Sequence, residues 1–260
     1  MKLEIITRSP SVQSHATPLL FVHGMWHGAW CWDEFFLPYF ADAGYHVTAL
    51  SLRGHAGSEG RIQGSSIMDY VHDVEQAAKT LPTPPVLIGH SMGGFIVQKV
   101  LERSSAPAGV LLAPAPPFGV WHGTWLVLKH SPLTLLKILT RFRLAPLVET
   151  PENTRWAFFS KDMPHEQLLT YHAKMSDESF RMYLDLLGLN LVNTKKIKSP
   201  LLVLGAREDA VISVGDVEKT AHAYSTHAEF FPGMAHDMML EKDWKAVAER
   251  IVQWLKERGI

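Results

Sequence analysis

A single cysteine, Cys31, in 260 residues excludes an internal disulfide framework and fits a reducing compartment. The net charge of −1 supplies neither a basic field for nucleic acid nor an acidic tail for a basic partner. No run approaches the ~18 apolar residues of a membrane span. The opening residues, Met1 to Arg8, lack the apolar centre of a signal peptide. Internal repeats and low-complexity segments are also missing. These absences predict a soluble, cytoplasmic protein without integral membrane contact or a nucleic-acid partner, and they leave the oligomeric state open.

What remains is ordinary globular material, 47% hydrophobic and 20% charged, long enough for one α/β domain with a large core. Short apolar runs recur with helical segments between them. Leu3–Thr7, Leu19–Val22, Tyr45–Leu50, Pro85–Ile88, Gly109–Ala113, Pro200–Leu204 and Ala228–Phe231 read as strands. Helices are expected over Trp32–Ala43, Ser66–Leu81, Phe95–Glu102, Val214–Ala223 and Asp243–Glu257. This alternation predicts a doubly wound, mostly parallel sheet. The rhythm breaks between about Pro114 and Lys195, where proline-punctuated helical segments rich in Leu, Trp, Phe and Met replace it. The expected organisation is a core of residues 1–114 and 196–260 with a helical insertion over 115–195.

The chemistry centres on Gly89-His90-Ser91-Met92-Gly93-Gly94, which follows a strand and opens a helix. Gly-x-Ser-x-Gly alone is a weak signal. Ala56-Gly57-Ser58-Glu59-Gly60 is a near-miss that leads into no helix and reads as a loop. Context selects Ser91, since a strand, a sharp turn and a helix are what a nucleophile elbow requires. A serine hydroxyl needs a base and a carboxylate to orient that base. In such a fold the acid and then the histidine follow the serine along the chain, each on a loop after a strand. Asp209, ahead of the apolar Ala210-Val211-Ile212, is the preferred acid over Glu208, and His236 is the candidate base. A developing oxyanion needs donors, and the backbone N–H groups of Met92 and Met25 are placed to supply them. His23 and His27 have the i, i+4 spacing of zinc ligands on a helix. Gly24 and Gly28 oppose a helix there and no third ligand is near, so neither a metal nor a cofactor is expected.

Together, His23-Gly24, Arg53-Gly54-His55, Gly89 to Gly94, Gly205 to Asp209 and Gly233 to His236 resemble the α/β-hydrolase superfamily over essentially the whole chain. The resemblance implies a serine hydrolase with a helical cap after the sixth strand. It also implies an acyl-enzyme route in which Ser91 attacks, His236 shuttles the proton and Asp209 holds the imidazole. Ala56 stands where such chains often carry glycine. The stretch from His23 to Trp32 also looks like plant hydroxynitrile lyases and their esterase relatives. Those lyases have threonine and lysine where this chain has Gly24 and Asp237, which disfavours cyanohydrin cleavage.

Trp26, Trp121, Trp125 and Phe158 are the candidates to line an apolar substrate pocket. Residues 125–143 have an alternative reading as a lipid-contacting helix, interrupted by Pro132. The expected activity is hydrolysis of small to medium apolar carboxylic esters, with monoacylglycerol or thioester hydrolysis as narrower versions. A ligand receptor on the same fold is the non-enzymatic alternative.

Overall fold

Seven short, largely apolar runs become the strands of one sheet in the computed structural model, which describes residues 1–12 and 14–260. The chain opens with β1 (Ile5–Arg8), β2 (Leu19–Val22), α1 (Trp30–Asp33), α2 (Phe36–Asp42), β3 (Val47–Leu50), α3 (Ile67–Lys79), β4 (Val86–His90), α4 (Met92–Arg103) and β5 (Gly109–Leu112). An all-helical stretch follows: α5 (Trp121–His130), α6 (Pro132–Arg141), α7 (Pro151–Phe158), α8 (His165–His172) and α9 (Phe180–Leu184). Then β6 (Leu201–Ala206), α10 (Val214–Ala223), β7 (Ala228–Phe231) and α11 (Trp244–Lys256) complete the chain.

The strand order is β1-β3-β2-β4-β5-β6-β7, parallel throughout except for β1, which runs antiparallel along β3. Strands β2 to β6 are buried along their whole length. Continuous Leu, Val and Ile runs suit a parallel sheet covered on both faces, where no side of the strand meets water. The fold is an α/β-hydrolase fold, a mostly parallel sheet with helices around it.

Three expectations shift. The helix expected over Trp32–Ala43 is two helices, parted at Phe35 (φ −136°). Pro38 accounts for the break, because its ring would clash with the Glu34 carbonyl if the helix ran on through it. The all-helical stretch follows the fifth strand rather than the sixth, because a single antiparallel strand precedes the parallel ones. Residues 125–143 form parts of two helices joined at Ser131, whose hydroxyl caps the second at the Thr134 N–H (3.3 Å), with Pro132 in its first turn. The near-miss Ser58 is structural, since its hydroxyl donates to the Ser51 carbonyl (2.5 Å) and accepts from the Glu4 N–H (2.8 Å).

Candidate active site

At the end of β4 the chain turns through Ser91 at φ 52°, ψ −119°, a conformation L-residues rarely adopt. Its backbone is held on three sides. The N–H donates to the Leu112 carbonyl (3.0 Å), and the carbonyl accepts from Phe95 (3.2 Å) and Ala115 (3.0 Å). Gly93 lies so close to β2 that a Cβ there would run into the Val22 and His23 carbonyl oxygens. The close approach of two backbones thus fixes the turn, and the Ser91 hydroxyl stays without a hydrogen-bond partner among the described residues.

The loops after β6 and β7 continue the sheet's pairing beyond its edge. Arg207 N–H donates to the Phe231 carbonyl (3.0 Å), and Glu208 N–H to Met234 (2.9 Å). These bonds bring Asp209 to His236. His236 Nδ1–H donates to Asp209 Oδ2 at 2.6 Å, with both side chains 1% exposed. Asp209 Oδ1 accepts the Val211 and Ile212 N–H groups at 2.9 and 2.8 Å, so the apolar segment after it seats the carboxylate. Glu208 stays exposed.

Ser91 and His236 line one pocket of about 90 Å³ together with Met25, Trp26, Val127 and Phe158. The backbone N–H groups of Met25 and Met92 have no acceptor among the described residues. For Met92 this follows from its place in the first turn of α4, where helix geometry leaves N–H groups free. The Thr124 and Tyr183 hydroxyls, bonded at 2.7 Å, form a polar spot in the otherwise apolar wall.

Trp26 and Phe158 line the pocket, whereas Trp121 and Trp125 do not. They are 64% and 50% exposed. Four residues apart, they share one face of α5, while Gly123, Thr124 and Val127 turn the other face inward.

Behind His236 lies a buried polar cluster that no local motif announced. His27 Nδ1–H donates to the Met25 carbonyl (2.7 Å) and Nε2–H to Asp237 Oδ2 (2.9 Å), so both ring nitrogens face acceptors. Burial opposes the charged ring, but the Asp237 carboxylate and these hydrogen bonds outweigh it, and the net shift of His27 is upward. Burial likewise pushes Asp237 up, and His27 overrides it, leaving the carboxyl below its ordinary range. His90 is the opposite case. Burial first, then the neighbouring His236, pushes it down to about 3, so it is neutral and donates through Nε2 to the His236 carbonyl (3.0 Å). His23 is also neutral, pushed well down by burial; it donates from Nδ1 to the Gly24 carbonyl (2.7 Å) and accepts the Leu52 N–H (3.0 Å). The i, i+4 histidines thus fix the turn carrying the Met25 amide.

Trp26 fastens that turn to the helical stretch. It sits at φ 65°, its indole N–H donates to the Leu144 carbonyl (3.3 Å), and its own carbonyl accepts the Ser176 N–H (2.9 Å).

Known proteins match this chain and its fold. A monoacylglycerol lipase from Mycolicibacterium smegmatis is 27% identical over 83% of this chain and 80% of its own length. An esterase from Exiguobacterium antarcticum superposes with a TM-score of 0.75 over 98% of this chain and 95% of its own, at 19% identity. A bromoperoxidase from Bacillus anthracis does so equally, with a TM-score of 0.75, 19% identity and 98% and 96% coverage. At such identities the two structures speak for the fold alone. Residues 19–250 match the alpha/beta hydrolase family, and the chain belongs to it.

Proposed function

We propose that this protein is a serine hydrolase of apolar carboxylic esters that works through an acyl-enzyme. The observation that carries the reading is one apolar pocket lined by Ser91, Met25 and the Asp209-bound imidazole of His236, with the backbone amides of Met25 and Met92 unpaired among the described residues. The Ser91 oxygen attacks the ester carbonyl while its proton passes to Nε2 of His236. Asp209 keeps the other ring proton on Nδ1 and stabilises the imidazolium that forms. The tetrahedral oxyanion takes hydrogen bonds from the Met25 and Met92 N–H groups. Collapse breaks the ester C–O bond, and His236 returns its proton to the departing alcohol. Water, deprotonated by His236, then cleaves the acyl–serine ester and restores Ser91.

The small pocket favours a short acyl or alkyl chain. The names of related proteins, monoacylglycerol lipase and esterase, support ester hydrolysis. Lyase chemistry of the hydroxynitrile kind is opposed by position 24. A Cβ there would lie 2.9 Å from His90 Nδ1 and 3.1 Å from the Ser91 Cβ, leaving no room for a threonine.

Hydrolysis of p-nitrophenyl acetate and its longer-chain homologues tests the proposal. Ser91→Ala is expected to lower kcat by about 10⁴-fold or more and to remove the acyl-enzyme from the mass spectrum of the quenched reaction. An alanine variant that retains wild-type turnover overturns it.

A further inference from the structure

The two helices that roof the pocket are apolar on both sides. Inward, Val127 of α5 and Leu135 and Ile138 of α6 line the pocket. Outward, Trp121, Trp125 and Leu128 of α5 and Leu133, Leu136 and Leu139 of α6 are all exposed, Leu133 at 72%. Six large apolar side chains on two packed ten-residue helices form a concentrated water-facing apolar surface. Such a patch marks a contact with another apolar phase.

Charge narrows the identity of that phase. From Arg103 through Val148 the sequence contains no Asp or Glu, although the whole chain is close to neutral. Around the apolar face stand Lys129, Lys137, Arg141 and Arg143. Glu149 is shared between Lys137 (2.7 Å) and Arg141 (3.3 Å), and Asp177 takes Arg143 (2.5 Å). Lys129 has no carboxylate partner among the described residues and lies over the Trp125 ring, 4.9 Å from its centre. Four cations against two carboxylates leave the face positive. Two copies of the face would therefore set cations against cations, whereas an anionic surface complements it.

We propose that the outer face of α5 and α6 docks on an anionic lipid bilayer. The tryptophans and leucines enter the boundary between headgroups and acyl chains, and the lysines and arginines sit at the level of the phosphates. One layer of helix then separates the lipid from the Ser91 pocket. The contact requires no catalysis, so it stands or falls separately from ester hydrolysis.

The test is cosedimentation of the full chain, as wild type and as Ser91→Ala, with vesicles of phosphatidylcholine with and without phosphatidylglycerol. Both proteins are expected to bind the phosphatidylglycerol vesicles, and to bind several-fold less when that lipid is omitted or salt is raised. Combined Leu133→Ser and Leu136→Ser substitutions are expected to lower partitioning about tenfold or more, from the lost apolar contact. Their hydrolysis of soluble p-nitrophenyl acetate is expected to stay at the wild-type level, which also reports an intact fold. Brominated lipids are expected to quench the emission of the wild type but not of a Trp121→Phe, Trp125→Phe variant. Failure to bind anionic vesicles overturns the proposal, as does binding indifferent to the leucine substitutions. It is equally overturned if the apolar face instead joins two copies, read as a concentration-dependent mass abolished by those substitutions without vesicle binding. Vesicle binding by a protein that hydrolyses no ester would sink the hydrolase reading and leave the docking surface in place.

Discussion

His27 occupies a position where a neutral imidazole cannot satisfy its surroundings. Both nitrogens point at oxygen acceptors, one on the turn that carries the Met25 amide and one on Asp237, next to His236. A neutral ring has one N–H and must give up one contact. The buried ion pair therefore ties the turn that carries the Met25 amide to the loop that carries His236, across 210 residues of chain. In the proposed hydrolysis Asp237 would act through its neighbours, as a positioning residue. Replacing Asp237 with Asn is expected to lower kcat on p-nitrophenyl acetate by about 10- to 100-fold with little change in KM, because a displaced donor weakens transition-state binding most. Steady-state kinetics checks this, and a change confined to KM would contradict it. Nothing local in the sequence announces the pair. In the sequence Asp237 stands out only as a departure from the lyases.

At the scale of the element, the strands were readable because they are apolar runs bounded by glycine, proline or polar turns. The β2 run, Leu19–Val22, and the β7 run, Ala228–Phe231, match the reading residue for residue, as does α10. Boundaries moved where tertiary pairing decides, as in β1, which starts at Ile5 because that residue faces Leu50 of β3. Helical spacing shows that Trp121 and Trp125 share a face, but not which face turns inward. Their opposite side, with Gly123 and Thr124, is less apolar, so pattern alone favoured the wrong one. Ser91, Asp209 and His236 can be picked out in the sequence because each follows a recognisable strand, and the structure bonds His236 to Asp209 and sets it with Ser91 on one pocket.

The all-helical stretch is fastened to the sheet by another buried cluster. Glu178 is fully buried, accepts the Tyr70 hydroxyl (2.8 Å) and the His55 Nε2–H (3.1 Å), and so joins the chain after α8 to α3 and the loop after β3. His55 also donates to the Arg53 carbonyl (3.1 Å); burial opposes its charge, but Glu178 wins and holds its pKa up. Removing one partner leaves an uncompensated buried charge. Glu178→Ala is accordingly expected to cost about 3–5 kcal/mol of unfolding free energy, measured by urea denaturation. A loss within experimental error of zero would mean that the cluster does not hold the stretch in place.

For the whole molecule, buried histidines of both kinds give stability a defined pH dependence. His90, with its folded pKa at about 3, and His23, also well below the ordinary histidine value of 6.5, stay neutral in the native state where the unfolded chain takes up protons. Between about pH 6.5 and pH 3 the unfolded state therefore binds more protons, so stability falls as the solution is acidified. His27 and His55 work in the opposite sense. Their raised values add stability that is complete below the unfolded pKa and lost as pH rises through the folded one. The melting temperature is expected to peak near neutrality and to drop on the acid side, with the acid drop reduced in His90→Gln. Calorimetry across the range checks this, and a flat profile from about pH 7 to about pH 5 would contradict the buried neutral state.

Trp26 gives the molecule a mechanical property. Its ring is bonded to one part of the helical roof and its carbonyl to another, while its own peptide nitrogen belongs to the residue immediately after Met25. A roof wired in this way is not an independent door. A displacement of the roof would also pull on the turn that carries the Met25 amide.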